Sequence, residues 1–336
     1  MATSPPKSEP KQSENKPLSG QTKPYLPYSQ VLREKFGCKV YKVTLDAGFT
    51  CPNRDGSKGV GGCTFCDTTG SSSRAQNRRD SLTEQIQKNI DRMRARFGAD
   101  KFVPYFQSFT NTYAPPDRLK RLYDEALSAH DDVIGLAIST RPDCVDEAKL
   151  DLIATYKRPD GYLCVEYGMQ TIHDKSLALV NRCETYADFR HAFELTRARG
   201  IDQCVHVILG MPGETHADMM ATARALSDLK PEGVKIHCLC AMEHTPLARL
   251  YERGQWQPLA QADYVALVTD FLEHLDPAIA IHRITGNGHR KALVAPRWLT
   301  KKFEVLEQVE ATFAARQTRQ GSALQDSPRK GPPTHT

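Results

Sequence analysis

Three cysteines share one glycine-rich stretch of this chain. Residues 46–67 read DAGFTCPNRDGSKGVGGCTFCD, with Cys51 followed by Cys63 and Cys66 in a Cys-x-x-Cys pair, and Gly56, Gly59, Gly61 and Gly62 between them. Glycine allows tight turns and close approach to a bulky group. The stretch is long, polar and nearly free of core-forming side chains, so something other than packing must hold it. Thiolates bind soft metals and iron–sulfur clusters. Three cysteines without an obvious fourth fit a cluster with one incompletely ligated iron, the open position that chemistry on a bound ligand requires. A distant fourth Cys or His would instead close a structural zinc site, and spacing alone does not separate the two. A redox Cys-x-x-Cys is less well supported, because the pair lies on a loop with a third cysteine and does not open a helix. The other cysteines are scattered. Cys164 and Cys204 fall in strand patterns and read as buried small hydrophobes. Cys238 and Cys240 lie two apart, on one face of a strand, and read as packing residues.

The elements that must position this loop alternate. Strand patterns occupy residues 39–45, 102–108, 133–139, 162–168, 203–209 and 233–239, each rich in Val, Ile, Tyr, Phe or Leu and bounded by Gly, Pro or Asp. Between them lie helical patterns. Residues 81–97 open with Ser-Leu-Thr-Glu, a capping box; 185–199 and 215–229 open with Thr-Tyr-Ala-Asp and Thr-His-Ala-Asp, weaker versions of it. Further helices are expected near 260–274 and 300–316. The alternation predicts an α/β fold with a parallel sheet and right-handed crossovers, in which six units make a partial (β/α)6 barrel. The cysteine loop follows the first strand, at the carboxyl end of the sheet where active sites sit.

The chain has 336 residues, 40% hydrophobic and 25% charged, with a net charge of +5, values ordinary for a soluble globular protein. The mild positive charge admits a nucleic-acid partner without requiring one. Residues 1–24 and 319–336 are rich in Pro, Ser, Lys and Gln and are expected to be disordered tails. Between them, 25–290 form the expected core and 291–318 a C-terminal helical extension. No apolar run is long enough to span a bilayer, and the first residues lack the apolar stretch of a signal peptide. A cytoplasmic protein without a membrane partner is therefore expected, in a compartment where grouped cysteines read as metal or redox chemistry.

The segments CPNRDGSKGVGGCTFC, YFQSFTNTYAP, STRPDC, VEYGMQTIHDKSL and VILGMPGET, in this order, resemble the YhcC-like radical SAM proteins. That group belongs to the superfamily branch related to the Elongator catalytic subunit and oxygen-independent coproporphyrinogen oxidase. The resemblance covers residues 25–319. It implies a radical SAM (TIM-like) barrel, with Cys51, Cys63 and Cys66 as ligands of a 4Fe-4S cluster and S-adenosyl-L-methionine as second cofactor. The gap of eleven residues after Cys51 departs from the commonest Cys-x3-Cys-x2-Cys pattern but is typical of this branch.

The resemblance also implies cofactor contacts. Phe65, inside the Cys-x-x-Cys pair, would shield the cluster and face adenine, or simply pack the loop. Thr110, Asn111 and Thr112 end the second strand, where the family's backbone binds the methionine amino group. Arg141, held extended by the following proline, would pair with a carboxylate from the cofactor or from Asp143. Glu166 and Gln170 share a face of the fourth strand and would meet ribose hydroxyls, with a structural salt bridge as the other reading of Glu166. Arg182 would reach the methionine carboxylate. Ile208 and Gly210 would offer a surface to adenine. His237 reads as a core histidine. Residues 281–290, IHRITGNGHR, with His282, Arg283, His289 and Arg290, read as a contact for a phosphate-bearing substrate or as a closing strand.

The expected activity is reductive cleavage of S-adenosylmethionine, in which an electron from the cluster splits a carbon–sulfur bond and the resulting radical abstracts hydrogen from a substrate. A reductant such as flavodoxin or ferredoxin is implied. The substrate is unidentified, with tRNA admitted by the family link. The alternative is a zinc-stabilised, non-catalytic RNA-binding or interaction module.

Overall fold

The structure, a computed structural model, describes residues 23–70, 80–286 and 291–324. The expected tails lie mostly outside the described residues, as do His289 and Arg290. At both edges the packed chain extends slightly further than composition predicts. The Gln320 backbone N–H donates to Pro24 O, and the Gln320 side chain donates to the carbonyls of Asp276 and Ile279. These bonds tie the two ends of the fold to one another.

Nine strands are present among the described residues: β1 (Val40–Leu45), β2 (Lys101–Phe106), β3 (Gly135–Thr140), β4 (Tyr162–Gln170), β5 (Asp202–Leu209), β6 (Gly233–Cys238), β7 (Ala241–Met242), β8 (Ala280–Arg283) and β9 (Leu293–Ala295). Ten α-helices accompany them: α1 (Tyr28–Phe36), α2 (Leu82–Phe97), α3 (Pro116–Ser128), α4 (Glu147–Ala154), α5 (Asp174–Leu179), α6 (Tyr186–Arg197), α7 (His216–Leu229), α8 (Pro246–Glu252), α9 (Gln261–Glu273) and α10 (Lys302–Arg316). Seven strands form one parallel sheet in the order β1-β2-β3-β4-β5-β6-β8, and β7 pairs antiparallel with β9. The six expected strands are all present. The seventh, β8, comes from the segment that sequence left between a substrate contact and a closing strand.

The strands read as almost continuously buried because both faces are covered. Helices α2, α6 and α7 start where their capping boxes lie: Ser81 with Glu84, Thr185 with Asp188, and Thr215 with Asp218, each satisfying reciprocal backbone and side-chain bonds. Their apolar stripes, among them Ile86, Ile90, Phe189, Phe193, Ala223 and Leu226, join the core outside the sheet. The concave side holds a second cluster, with Val103, Tyr105, Ala137, Cys164 and Cys204 packed over Leu32 of α1. Helix α1 touches both β1 and β8, the two edges of the sheet, and so plugs the amino-terminal end of an open barrel. The curl is visible in one contact. Two strands separate β1 from β4, about 14 Å in a flat sheet, yet Lys42 Nζ of β1 lies 2.5 Å from Glu166 Oε1 of β4. No helix among the described residues is long and apolar enough to cross a membrane.

Candidate active site

Residues 46–70 leave β1 at the carboxyl end of the barrel and are pinned from several sides. Thr64 N–H donates to Val180 O just after α5, and Leu247 N–H of α8 donates to Thr64 O. Within the loop, Arg54 N–H donates to Cys51 O at 2.8 Å and Gly62 N–H to Asn53 O at 2.7 Å. The Arg54 guanidinium donates to the carbonyls of Cys66 and Asp67, fixing the Cys-x-x-Cys turn. Two glycines are needed for this packing. A Cβ at Gly59 would stand 2.1 Å from Asn53 Oδ1, and one at Gly62, where φ is +82°, would meet Arg54 Nε at 2.9 Å.

Cys51, Cys63 and Cys66 all line one cavity of about 680 Å³ at the mouth of the barrel. Among the described residues, Glu166, Cys204 and His282 form the one set of three metal-type donors whose ligand atoms lie within 4.8 Å of one another. The loop thiols are therefore spread more widely than the sulfurs around a single tetrahedral zinc, which stand roughly 3.8 Å apart for 2.3 Å bonds. Glu166 is in turn committed to buried lysines, as described below. Donors already surround the loop sulfurs: Asn53 Nδ2 lies 3.6 Å and Arg182 Nη1 3.7 Å from Cys63 Sγ. Hydrogen bonds of this kind orient thiolate ligands and tune the metal group they hold. Burial, then the neighbouring Cys63, pushes the Cys66 thiol up to about 11, so without a metal it keeps its proton near neutrality. The donor set fits a three-thiolate cluster.

The cavity wall collects six of the other expected residues, Phe65, Thr110, Arg141, Gln170, Arg182 and Ile208. Phe65 also packs against an apolar group that includes Val180, Leu239 and Leu247. Arg141 grips Asp143 with two bonds of 2.8 Å each and stands 3.0 Å from Glu184 Oε2. Arg182 donates to Glu184 Oε1 at 2.5 Å and to Gly168 O at 2.7 Å. Both arginines are thus pre-oriented by carboxylates.

Four expected contacts are placed elsewhere. Asn111 is fully buried, and its amide donates to Phe106 O and Ser139 O. Thr112 Oγ1 lies 2.6 Å from Thr140 Oγ1 and donates to Cys144 O. These two side chains tie the ends of β2 and β3 and do not face the cavity. Gly210 packs under Leu259, with its N–H toward Met219 Sδ. Glu166 lies beneath the cavity, its carboxylate taken by Lys42, Lys235 and His206, the last at 2.8 Å. That is the salt-bridge arrangement, with a cation or histidine on each oxygen of a carboxylate that does not line the cavity.

Further wall residues are basic, and sequence read only two of them, Arg283 as a contact for a phosphate-bearing substrate or part of a closing strand and His237 as a core histidine. His206, Lys235, His237 and Arg283 line the inner end of the same cavity. Burial would push the Glu166 carboxyl up, but Lys235 and Lys42 hold it well below its ordinary range. Burial, then Lys235, pushes His206 down to about 4 against the pull of Glu166. His237 and His282 are also held well below 6.5, by burial first and then by His206 and Lys42 respectively. Between the lowered values and 6.5 the unfolded chain binds more protons at these sites than the folded one. Their contribution to stability is therefore complete above pH 6.5 and lost as pH falls toward 4. Glu184 runs the other way. Burial pushes it up to about 7 against Arg182 and Arg141, so its contribution is complete below 4.5 and fades as pH rises through 7. Burial raises Asp202 and Glu232 as well, but Glu166 and Asp143 are lowered and lose stability as pH falls. With the three histidines on the same side, the urea midpoint of cluster-free protein should fall between pH 6.5 and 4.5. A flat or rising midpoint would contradict the buried neutral histidines.

The chain matches the family model of the Radical SAM superfamily over residues 51–226 and that of the Radical_SAM C-terminal domain over 231–315. It belongs to the radical SAM superfamily. Members use a 4Fe-4S cluster and S-adenosylmethionine, so the protein is an enzyme with these cofactors. It is 41% identical to YtqA of Bacillus subtilis over 92% of this chain and 95% of that one. To YhcC of Escherichia coli K12 it is 34% identical, over 87% and 93%. A shorter match, 29% identical over 40% of this chain and 25% of the other, is to the tRNA uridine(34) acetyltransferase of Methanocaldococcus jannaschii. The solved structure of archaeal Elp3 from Methanocaldococcus infernus shares the fold, with a TM-score of 0.63 at 18% identity over 84% of this chain and 64% of that one.

Proposed function

We propose that Cys51, Cys63 and Cys66 hold a 4Fe-4S cluster at the mouth of the barrel and that the protein abstracts hydrogen from a substrate bound deeper in the same cavity. The observation that carries this reading is the convergence of the three loop thiols on a cavity at the carboxyl end of the parallel sheet. Once bound, the cofactors supply a one-electron cleavage of a carbon–sulfur bond and a hydrogen-abstracting adenosyl radical. The protein's part is to bind and orient. Arg182 and Asn53 steady the Cys63 sulfur. Thr110, Gln170, Arg141 and Arg182 present polar groups to the amino-acid and ribose parts of S-adenosylmethionine, while Phe65 and Ile208 offer apolar surface to its adenine. Asn111, Thr112 and Gly210 hold the strand ends that form this wall.

An electron donor of the flavodoxin or ferredoxin type completes the reaction, and a reducing cytoplasm is the compartment that suits the thiols. Two substrate pools merit screening. tRNA is one, because a partial relative is named for tRNA and the chain carries a net charge of +5; small metabolites are the other. The test is anaerobic reconstitution with iron and sulfide. Brown protein with about four irons per chain that releases 5′-deoxyadenosine from S-adenosylmethionine under reduction is the expected result. Colourless protein holding one zinc would overturn it.

A further inference from the structure

The inner end of the cavity carries more positive charge than the protein neutralises. Register explains why. His206, Lys235 and Arg283 are direct partners across β5, β6 and β8, so they form one row on adjacent strands. His237 lies two residues beyond Lys235 on β6, on the same side and one step nearer the mouth. Its ring centre is 5.4 Å from that of His206. Glu166 is the acidic side chain bonded to this row, and it is shared by Lys42, Lys235 and His206.

Arg283 has no carboxylate partner and no side-chain hydrogen bond among the described residues, although it is half-buried in the cavity wall. A guanidinium stays charged at any physiological pH. It is therefore left over whether or not Lys235 keeps its proton beside Glu166. Lys302, at the start of α10, adds a second positive field close to Arg283. His237 Nε2 is buried without a hydrogen-bond partner. An unpaired cation and an unsatisfied ring nitrogen in one recess are costly unless a ligand completes them.

We propose that this recess, built by Arg283, His237 and Lys235, binds a terminal oxyanion, a carboxylate or phosphate monoester, of a small acidic substrate. The fork of Arg283 suits two oxygens of such a group, and His237 adds a donor from the neighbouring strand. The recess lies at the inner end of the barrel, below the cysteine loop. A group anchored there leaves the rest of the molecule pointing toward the cofactor wall. A diester within a polynucleotide has no free end to insert so deeply.

Naming the ligand as substrate rests on the radical SAM reading; the binding site itself does not. The test therefore uses cluster-free protein, titrated calorimetrically with inorganic phosphate and, separately, with malonate. Saturable binding of at least one is expected, weakened tenfold or more in Arg283→Gln and in His237→Gln, and unchanged in Arg297→Gln, a control on an exposed residue. Binding of phosphate alone assigns a phosphate monoester, and binding of malonate alone a carboxylate. Arg283→Lys keeps the charge without the fork and should fall between wild type and Arg283→Gln. Should Arg283→Gln fail to fold, the His237→Gln comparison carries the test. Absence of binding by both anions, or equal binding by wild type and both variants, overturns the proposal. So does displacement of bound phosphate by stoichiometric tRNA with an affinity that Arg283→Gln leaves unchanged. Anion binding that persists in protein unable to take up iron would sink the cofactor reading and leave the recess standing.

Discussion

Cys63→Ala should lose the iron–sulfur cluster and keep the barrel. After anaerobic reconstitution, iron should drop from about four per chain to below one, and deoxyadenosine release should fall by at least a hundredfold. The far-UV circular dichroism spectrum should match that of wild type. The reasoning is local. Cys63 is buried, its sulfur is the one that Asn53 and Arg182 both approach, and its loop lies outside every strand of the sheet. Removing that sulfur leaves two thiols, too few to fix a cluster in one orientation. It also leaves an Arg182 still held by Glu184 and by the Gly168 carbonyl, so the wall of the cavity stays in place. A variant that retains iron and cleavage activity would remove Cys63 from the ligand set.

The cysteine loop was legible because its composition has no structural excuse. A long polar run with four glycines and three cysteines, placed after a strand, offers few side chains to a core. The six strands were legible because a sheet covered on both faces needs runs of Val, Ile, Leu and aromatic residues, and 162–168 or 203–209 supply them with few interruptions, Glu166 in the first and Gln203 and His206 in the second. Strand β8 is only four residues long, Ala280–Arg283, too short for its apolar pattern to stand apart from the loop that follows. Helix α1 buries a single fully covered side chain, Leu32, so its sequence shows little of the stripe that marks α2 or α6.

Arg283 was legible as a phosphate contact, but the rest of the basic recess was hidden by a different ambiguity. In Gly-Val-Lys-Ile-His-Cys, the stretch of β6, apolar and polar residues alternate as they do in a strand with one face in water. Sequence gives the parity of Lys235 and His237 but not what lies on that side. Here it is the polar interior of a barrel, and the same parity on β5 places His206 beside them. The polar side chains after β2 divide between two surroundings. Thr110, Asn111 and Thr112 looked too polar for packing, yet only Thr110 reaches the cavity. Asn111 satisfies carbonyls at the ends of β2 and β3 and Thr112 one in the turn that follows β3, a need that arises from backbone geometry and leaves no mark in composition.

Glu166→Gln should destabilise the cluster-free protein by about 3–5 kcal/mol, the usual cost of removing one partner from a buried ion group. Lys42 and Lys235 would stay in the barrel with no counter-charge, and the amide would offer an acceptor oxygen to one of them and turn its NH2 donor toward the other. Aromatic faces offset only part of this: Lys42 lies 4.8 Å from the Tyr28 ring centre and Lys235 4.2 Å from that of Tyr105, contacts worth about 2 kcal/mol or more when desolvated but already present in the wild type. Replacing Glu166, Lys42 and Lys235 together by methionine should recover most of the loss, because the charges then leave as a set. Urea unfolding of the single and triple variants measures both effects. The same experiment separates the two readings of this carboxylate. If Glu166 served chiefly to bind a ribose, Glu166→Gln would unfold at the wild-type urea concentration and lose only affinity for S-adenosylmethionine. A large shift in the midpoint, reversed in the triple variant, instead makes Glu166 the keystone beneath the cavity. In that role it acts on the substrate recess indirectly, by holding Lys235 and His206 in the row that ends at Arg283.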